Sequence, residues 1–389
     1  MTTGPPAPSA SRVLVAYGTR PEAIKMAPVI WALRDRPDRF EVVVATTAQH
    51  REMIDQVEDL LALRPDHDLD LMRPEQELND LAARAIVGFD DLLRQVRPEL
   101  LLVQGDTTTA MTGALAAFHR RIAVGHVEAG LRTGDLRHPF PEEANRRVVD
   151  VVADALFAPT AAARDALLQE GARADRVHLT GNTVVDALHR MSDQLPVEVA
   201  ADQVLITIHR RESFGAPLHG ILAAIRELAS RFPHTRWTYP LHRNPQVRIP
   251  ARETLGGLAN VELLEPLAYD QMVRLLRRVR LVLTDSGGLQ EEAPTFAKPV
   301  LVLRERTERP EGIAAGVARV VGLDPETIVA ETSRLLRDPA AYAAMARAVN
   351  PYGDGRAGRR IAAILAGEAY EPFAPGAAPE PGHMPDARG

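Results

Sequence analysis

The sequence has no cysteine, so disulfides and thiolate metal centres are excluded and the apolar core must hold the fold. It has no excess of positive charge: Lys+Arg number 46 against 52 Asp+Glu, a formal net charge of -6. Overall charge therefore makes no case for a nucleic-acid partner, and any anion must be bound by a local cluster. Long hydrophobic runs are missing as well, none approaching the roughly 20 residues that cross a bilayer, so no membrane partner is expected. The first eleven residues have neither a basic start nor an apolar centre, so no signal peptide is read there and a cytoplasmic protein is expected. No G-x-G-x-x-G follows a strand and there is no Walker lysine, which argues against a dinucleotide cofactor or ATP. A D-x-D pair within residues 66–70 lies away from the strand-end loops, so no metal is expected.

What is present is a soluble globular composition, 46% hydrophobic and 25% charged, over 389 residues, a length for two ordinary domains. Short apolar runs alternate with amphipathic segments of helical length, the pattern of βα repeats around parallel sheets. Strands are expected at 12–17, 41–46, 100–104, 122–127 and 155–158, then at 204–208, 236–239, 261–264, 281–284 and 299–303. The two series predict α/β architecture with two Rossmann-like, doubly wound domains. Their bounds are expected at 12–185, with a C-terminal helix at 356–368 packing back, and at 186–355. Residues 1–11 and the Pro/Gly/Ala-dense 371–389 are expected to be disordered tails.

In open parallel sheets ligands bind beyond the carboxyl ends of strands, and here the unusual residues fall there. The run at 281–284 enters DSGG, which places Ser286, Gly287 and Gly288 at a helix start, where unpaired amides attract phosphate. Asp285 or Ser286 as a simple helix cap is the alternative. Upstream, GTRPEAIK offers Arg20 and Lys25, with Gly18 freeing the turn. Asp106 in GDTTT either caps a helix or faces a cleft. Glu128 in EAGLRTG is either functional or ion-paired to Arg132 or Arg137, and in PEEANR a structural role suits Glu143 while Glu142 is the better cleft candidate. His209 precedes two arginines in HRRES, and Arg309 precedes a helix-opening proline. Loops of this kind along the edges of two sheets are expected to face one interdomain cleft.

GTRPEAIKMAP, TAQHREM, GDTTT, GHVEAGLRTGD, PEEANR, GNTVVDAL, HRRESFG, LTDSGGLQEEAP, TERPE and NPYGDG, in this order from about residue 12 to 365, resemble the non-hydrolysing UDP-N-acetylglucosamine 2-epimerases. The resemblance implies the GT-B architecture and C2 epimerisation of UDP-N-acetylglucosamine to UDP-N-acetylmannosamine without NAD or metal. It proceeds by elimination of UDP to a 2-acetamidoglucal and re-addition. The resemblance further implies that Asp106, Glu128 and Glu142 are the acid–base carboxylates and that His209 assists the departing UDP. Arg20, Ser286, Gly287, Gly288 and Arg309 would hold UDP, Glu292 its ribose, and Lys25 would lie near the substrate. A homodimer is implied, with an adjoining allosteric site containing Gln49, His50, Arg210 and His242. Two alternatives remain: a 2-epimerase of a UDP-sugar altered at C3, C4 or C6, and a GT-B glycosyltransferase, which would need an acceptor.

Overall fold

Strand β1 (Ser11–Tyr17) reads SRVLVAY and is buried from Val13 onward. Near-continuous aliphatic runs of this kind suit strands covered on both faces, as in parallel sheets. The computed structural model describes residues 10–47, 51–71, 73, 76–196, 201–210 and 213–376. The chain divides into two units, Met1–Ala187 with Gly353–Ala374, and Leu188–Tyr352 with Pro375–Gly389.

In the first unit β1 leads to α1 (Arg20–Arg34), β2 (Phe40–Thr46), α2 (Arg51–Leu60), β3 (His67–Asp68), α3 (Leu78–Val96) and β4 (Leu100–Gln104). There follow α4 (Thr108–His119), β5 (Ala123–Val127), α5 (Glu142–Val152), β6 (Ala155–Ala158), α6 (Ala161–Gln169), β7 (Val177–Leu179) and α7 (Thr183–Gln194), of which Thr183–Ala187 belong to this unit. Among the described residues these strands form a parallel 7-stranded sheet in the order β3-β2-β1-β4-β5-β6-β7. Strand order reverses direction between β1 and β4, which makes their carboxyl ends the topological switch point. Leu14, Phe89, Leu93, Leu101, Val103 and Leu156 anchor the core between sheet and helices.

The second unit repeats the plan. It contains β8 (Gln203–Thr207), α8 (Ala216–Arg231), β9 (Arg236–Pro240), α9 (Pro245–Leu255), β10 (Val261–Leu264), α10 (Tyr269–Arg278) and β11 (Leu281–Thr284). Next come α11 (Gly287–Glu292), β12 (Val300–Val302), α12 (Pro310–Ala314), β13 (Ala318–Val320), α13 (Pro325–Arg337) and α14 (Pro339–Ala346). Its parallel 6-stranded sheet runs β10-β9-β8-β11-β12-β13, with the switch point between β8 and β11 and with Trp237, Tyr239, Ile206 and Leu283 in its core.

The last helix, α15 (Ala357–Leu365), belongs to the first unit. It lies so close to α1 that a Cβ at Gly358 would come within 2.5 Å of the Pro28 carbonyl oxygen. Arg39 of the first unit donates to the Ala366 carbonyl at its end at 2.6 Å. Residues 371–376 fall in the stretch expected to be a tail, and Phe373 among them is docked. Phe373 is 3% exposed, its amide donates to the Leu179 carbonyl at 3.0 Å, and the Arg360 guanidinium sits 5.8 Å from its ring centroid. One aromatic ring with a strand edge to bond is enough to dock a stretch that Pro and Gly content alone would leave loose.

Candidate active site

At the first switch point space is the controlling factor. Gly18 follows β1, and a Cβ there would overlap the Thr47 and Thr109 hydroxyls, which lie 3.0 Å apart. Gly18 is thus needed for close approach of three loops rather than for the freedom of its turn. Glu22 locks the same junction. Its carboxylate accepts the Gly18 amide at 3.1 Å and the Thr107 hydroxyl at 2.7 Å, tying the loop before Arg20 to the loop after Asp106. Burial pushes the Glu22 carboxyl up to about 7 from an ordinary 4.5, against the opposing pull of Thr107, Thr19 and Gly18.

A carboxyl that is harder to ionise in the fold than in the unfolded chain makes folding bind protons. Stability from this group is then full below 4.5 and is lost as pH rises to about 7. Glu22→Gln removes that titration. In denaturant unfolding the variant should gain on the parent between pH 5 and pH 8, and a stability difference that stays constant over the window would contradict the assignment.

Asp106 is not the cap of α4. Thr107 takes that place, its hydroxyl accepting the Ala110 amide at 3.1 Å, so the Asp106 side chain is left to other partners. Helix α5 supplies them: Arg146 is ion-paired with the Asp106 carboxylate, and Asn145 donates to the Asp106 carbonyl at 3.0 Å. Glu142 stands three and four residues before Asn145 and Arg146, on the same helical face. Its Oε2 is buried with no hydrogen-bond partner among the described residues, which is unusual for a buried polar atom. Glu143, by contrast, is fully buried and accepts the Thr133 amide at 3.1 Å and Arg147 at 3.2 Å, which is a structural role.

Glu128 directly follows β5, which is in register with β4 through the pair Gln104 and Val127, so it and Asp106 leave the sheet at one edge. It holds φ 66, a left-handed conformation that costs a non-glycine residue about 1–3 kcal/mol and persists where surroundings fix it. Its partner is neither Arg132 nor Arg137 but Lys25 of α1, with Asn182 donating to the same Oε2 at 3.2 Å. Arg132 instead pairs with Asp150 at 2.8 Å and Glu170 at 2.6 Å. Asp150 also binds the fully buried His126 at 2.6 Å, whose other ring nitrogen meets the Gly105 carbonyl at 2.8 Å. Through α5, then, one buried carboxylate steadies the turns on which both Asp106 and Glu128 are carried. Arg20 opens α1, one residue after the Thr19 cap.

At the second unit's switch point the loop after β8 and the loop after β11 meet through Asp285. This residue is fully buried, and its carboxylate accepts the His209 amide at 3.0 Å, the Arg210 amide at 2.9 Å, the Ser213 hydroxyl at 2.9 Å and His209 Nδ1 at 3.1 Å. Burial raises its proton affinity, but these donors outweigh it and hold the carboxyl below its ordinary range. Asp285 was open to reading as a cap. Ser286 occupies that position, without a side-chain cap bond, and its amide donates to Thr284 Oγ1 at 2.9 Å.

The amides of Gly287 and Gly288 open α11. A Cβ at Gly287 would lie 3.3 Å from Arg210 Nη2, Arg309 Cζ and Glu308 Oε1, so guanidinium groups are packed directly over bare backbone. Glu308 joins them, pairing with Arg210 at 3.0 Å, Arg309 at 3.2 Å and also Arg304. Burial opposes its ionisation, yet the arginines prevail and hold its carboxyl down at about 2. Glu292, the last residue of α11, has Oε1 3.7 Å from a Cβ placed on Gly288. His242 stacks on His209 with ring centroids 6.1 Å apart, and burial lowers its proton affinity with His209 adding to the effect. Arg210 and His242 thus lie in the same cluster as His209, while Gln49 and His50 fall outside the described residues. Asn182 and Glu308 were not singled out from sequence and Asp285 only as a candidate cap; each lay inside a quoted motif, but Glu128, His209 and Arg210, which they bind, lie 54 to 98 positions away.

Two doubly wound parallel-sheet units with charged and polar side chains gathered at their strand carboxyl ends define an α/β enzyme of the GT-B, Rossmann-like class. Residues 32–366 match the family described as UDP-N-acetylglucosamine 2-epimerase, and the chain belongs to it. The Escherichia coli K12 UDP-N-acetylglucosamine 2-epimerase is 48% identical over 369 residues, covering 91% of this chain and 98% of the relative. The Bacillus subtilis protein of that name is 47% identical over 356 residues, covering 90% and 93%. The crystal structure of UDP-GlcNAc 2-epimerase from Neisseria meningitidis bound to UDP-GlcNAc matches with a TM-score of 0.85 at 43% identity, over 91% of this chain and 99% of that one.

Proposed function

We propose that the protein interconverts UDP-N-acetylglucosamine and UDP-N-acetylmannosamine. The observation that carries this reading is the grouping of Asp106, Glu128 and Glu142 at one edge of the first sheet, with Arg146 and Asn145 tying the Asp106 turn to the helix that starts at Glu142. The family membership and the UDP-GlcNAc bound to the Neisseria relative support it.

The hydrogen on sugar C2 is not next to a carbonyl, so its removal alone is too costly. Loss of UDP from C1 as that proton leaves gives an enzyme-bound 2-acetamidoglucal, and UDP then adds back while a proton is delivered to the opposite face of C2. Acid–base groups are needed on both faces, which several carboxylates can supply and a single fixed one cannot. Lys25 sets its ammonium against the Glu128 carboxylate as a counter-charge. In the second unit the Ser286 side chain and the amides of Gly287 and Gly288, with Arg309, receive the diphosphate. Glu292 takes the ribose hydroxyls, and His209, steadied by Asp285, neutralises the departing phosphate.

This reading further takes the protein as a cytoplasmic homodimer with a second, allosteric nucleotide-sugar site to which Arg210 and His242 contribute. The stacking of His242 on His209 supports coupling between that site and the reaction. No helix among the described residues is long and apolar enough to cross a membrane.

The deciding experiment is incubation with UDP-N-acetylglucosamine in D2O, followed by NMR of the sugar. Deuterium should enter C2 as the manno epimer accumulates, with no other substrate added. Exchange confined to a UDP-sugar altered at C3, C4 or C6 would reassign the substrate, and turnover only on adding an acceptor would make the protein a glycosyltransferase.

A further inference from the structure

Asn182 is 3% exposed in the turn that opens α7. Its Oδ1 accepts the Val184 amide at 3.1 Å, an Asx turn at the helix start. With the oxygen so committed, the amide nitrogen must point the other way, and it donates to Glu128 Oε2 at 3.2 Å. A carbonyl oxygen against that carboxylate would be repelled, so the two neighbours fix the same orientation independently. The backbone behind Asn182 is confined as well. A Cβ on Gly353 would lie 3.1 Å from the Asn182 carbonyl oxygen and 3.0 Å from Val185 Cγ2. Lys25, the other partner on Oε2, reaches it on a flexible four-carbon stem. Asn182 is the rigid one.

We propose that Asn182 is a positioning residue for the epimerisation, holding the Glu128 carboxylate through Nδ2–H···Oε2 in the aim that reaches the C2 hydrogen. The proposal rests on Glu128 being one of the acid–base groups. Asn182 touches no substrate atom itself; it acts by narrowing the range of directions open to a carboxylate already held at φ 66. A misplacement of about 1 Å at a reacting group can cost about 10²-fold in rate.

Asn182→Asp separates this role from helix capping. Asp is as good as Asn at a helix start and keeps the acceptor for the Val184 amide, but it sets a second carboxylate against Glu128. The expected result with UDP-N-acetylglucosamine is a kcat lower by about 10²-fold and a KM changed by less than about threefold. Two carboxylates buried against each other repel, so the thermal midpoint should also fall by a few degrees. Asn182→Ser, which keeps a short hydroxyl acceptor and adds no charge, should lose about tenfold in kcat with KM again unchanged. A kcat within about threefold of the parent in both variants, beside a Glu128→Gln protein that no longer exchanges C2 deuterium, would overturn the positioning role and leave the acid–base reading intact. Retained C2 exchange in Glu128→Gln would instead remove the reading and the proposal together.

Discussion

Glu128→Gln is expected to slow deuterium entry at C2 by about 10²- to 10⁴-fold, the range that one acid–base group supplies, while UDP binds within about threefold of the parent. The two effects separate because different parts of the chain carry them. Glu128 follows β5 and is paired with Lys25 and Asn182, all in the first unit. Most of the proposed UDP contacts come from residues of the second, Ser286 to Gly288 and Arg309. Gln is isosteric and still offers an oxygen to Lys25 and Asn182, so the φ 66 turn should survive. What it loses is the charge that takes the proton and balances the ammonium, at a cost of about 1–3 kcal/mol in stability. Exchange by NMR and UDP titration calorimetry on the same preparation decide the matter. A variant that loses UDP binding together with exchange would make Glu128 a structural residue, and one that still exchanges would leave Asp106 or Glu142 to do the work alone.

Legibility followed the length of the apolar runs. The strands expected at 100–104, 155–158, 261–264 and 281–284 are found as β4, β6, β10 and β11 with those bounds, since each is a predominantly apolar run of at least four residues, broken only by Glu262 in β10 and by the terminal Gln104 and Thr284. β3, β7 and β13 are the ones missed. His67–Asp68, Val177–Leu179 and Ala318–Val320 are too short and too polar to show a period, and they are strands only because a neighbouring edge pairs with them. The site behaved similarly. Strand ends rich in glycine and polar residues stood out, but which side chain binds which did not. The chain's cations are nearly all arginine, with Lys25 and Lys298 its lysines, so a nearby arginine was the natural partner to expect for Glu128. The lysine that pairs with it is 103 positions away. Two aspartates before helices looked alike as caps, and in both cases the next residue, Thr107 or Ser286, took the cap position.

Asp285→Asn should lower kcat by about 10²-fold and weaken UDP binding about tenfold, although the side chain touches no ligand. Its carboxylate gathers the His209 and Arg210 amides, the Ser213 hydroxyl and His209 Nδ1, and an amide must turn one of its two positions into a donor. In place of Oδ2 that donor would confront the Arg210 amide and the Ser213 hydroxyl, both 2.9 Å away. The amide group therefore goes to the Oδ1 side, where His209 Nδ1 lies at 3.1 Å and must then present a bare lone pair. His209 is thereby locked in the tautomer opposite to the one the carboxylate selects, and its protonated form has lost its counter-ion just where phosphate charge departs. Arg210, displaced with its amide, loosens the guanidinium packing over Gly287, which accounts for the weaker UDP. The fold also loses an acid-sensitive contribution. A carboxyl held below its ordinary 3.8 adds stability above that value and loses it as pH falls through the lower folded value, so the deficit of Asp285→Asn against the parent should shrink in that acid range. UDP calorimetry and steady-state kinetics near neutral pH give the test, and a variant with parental kcat and UDP affinity would show that His209 takes its orientation from elsewhere.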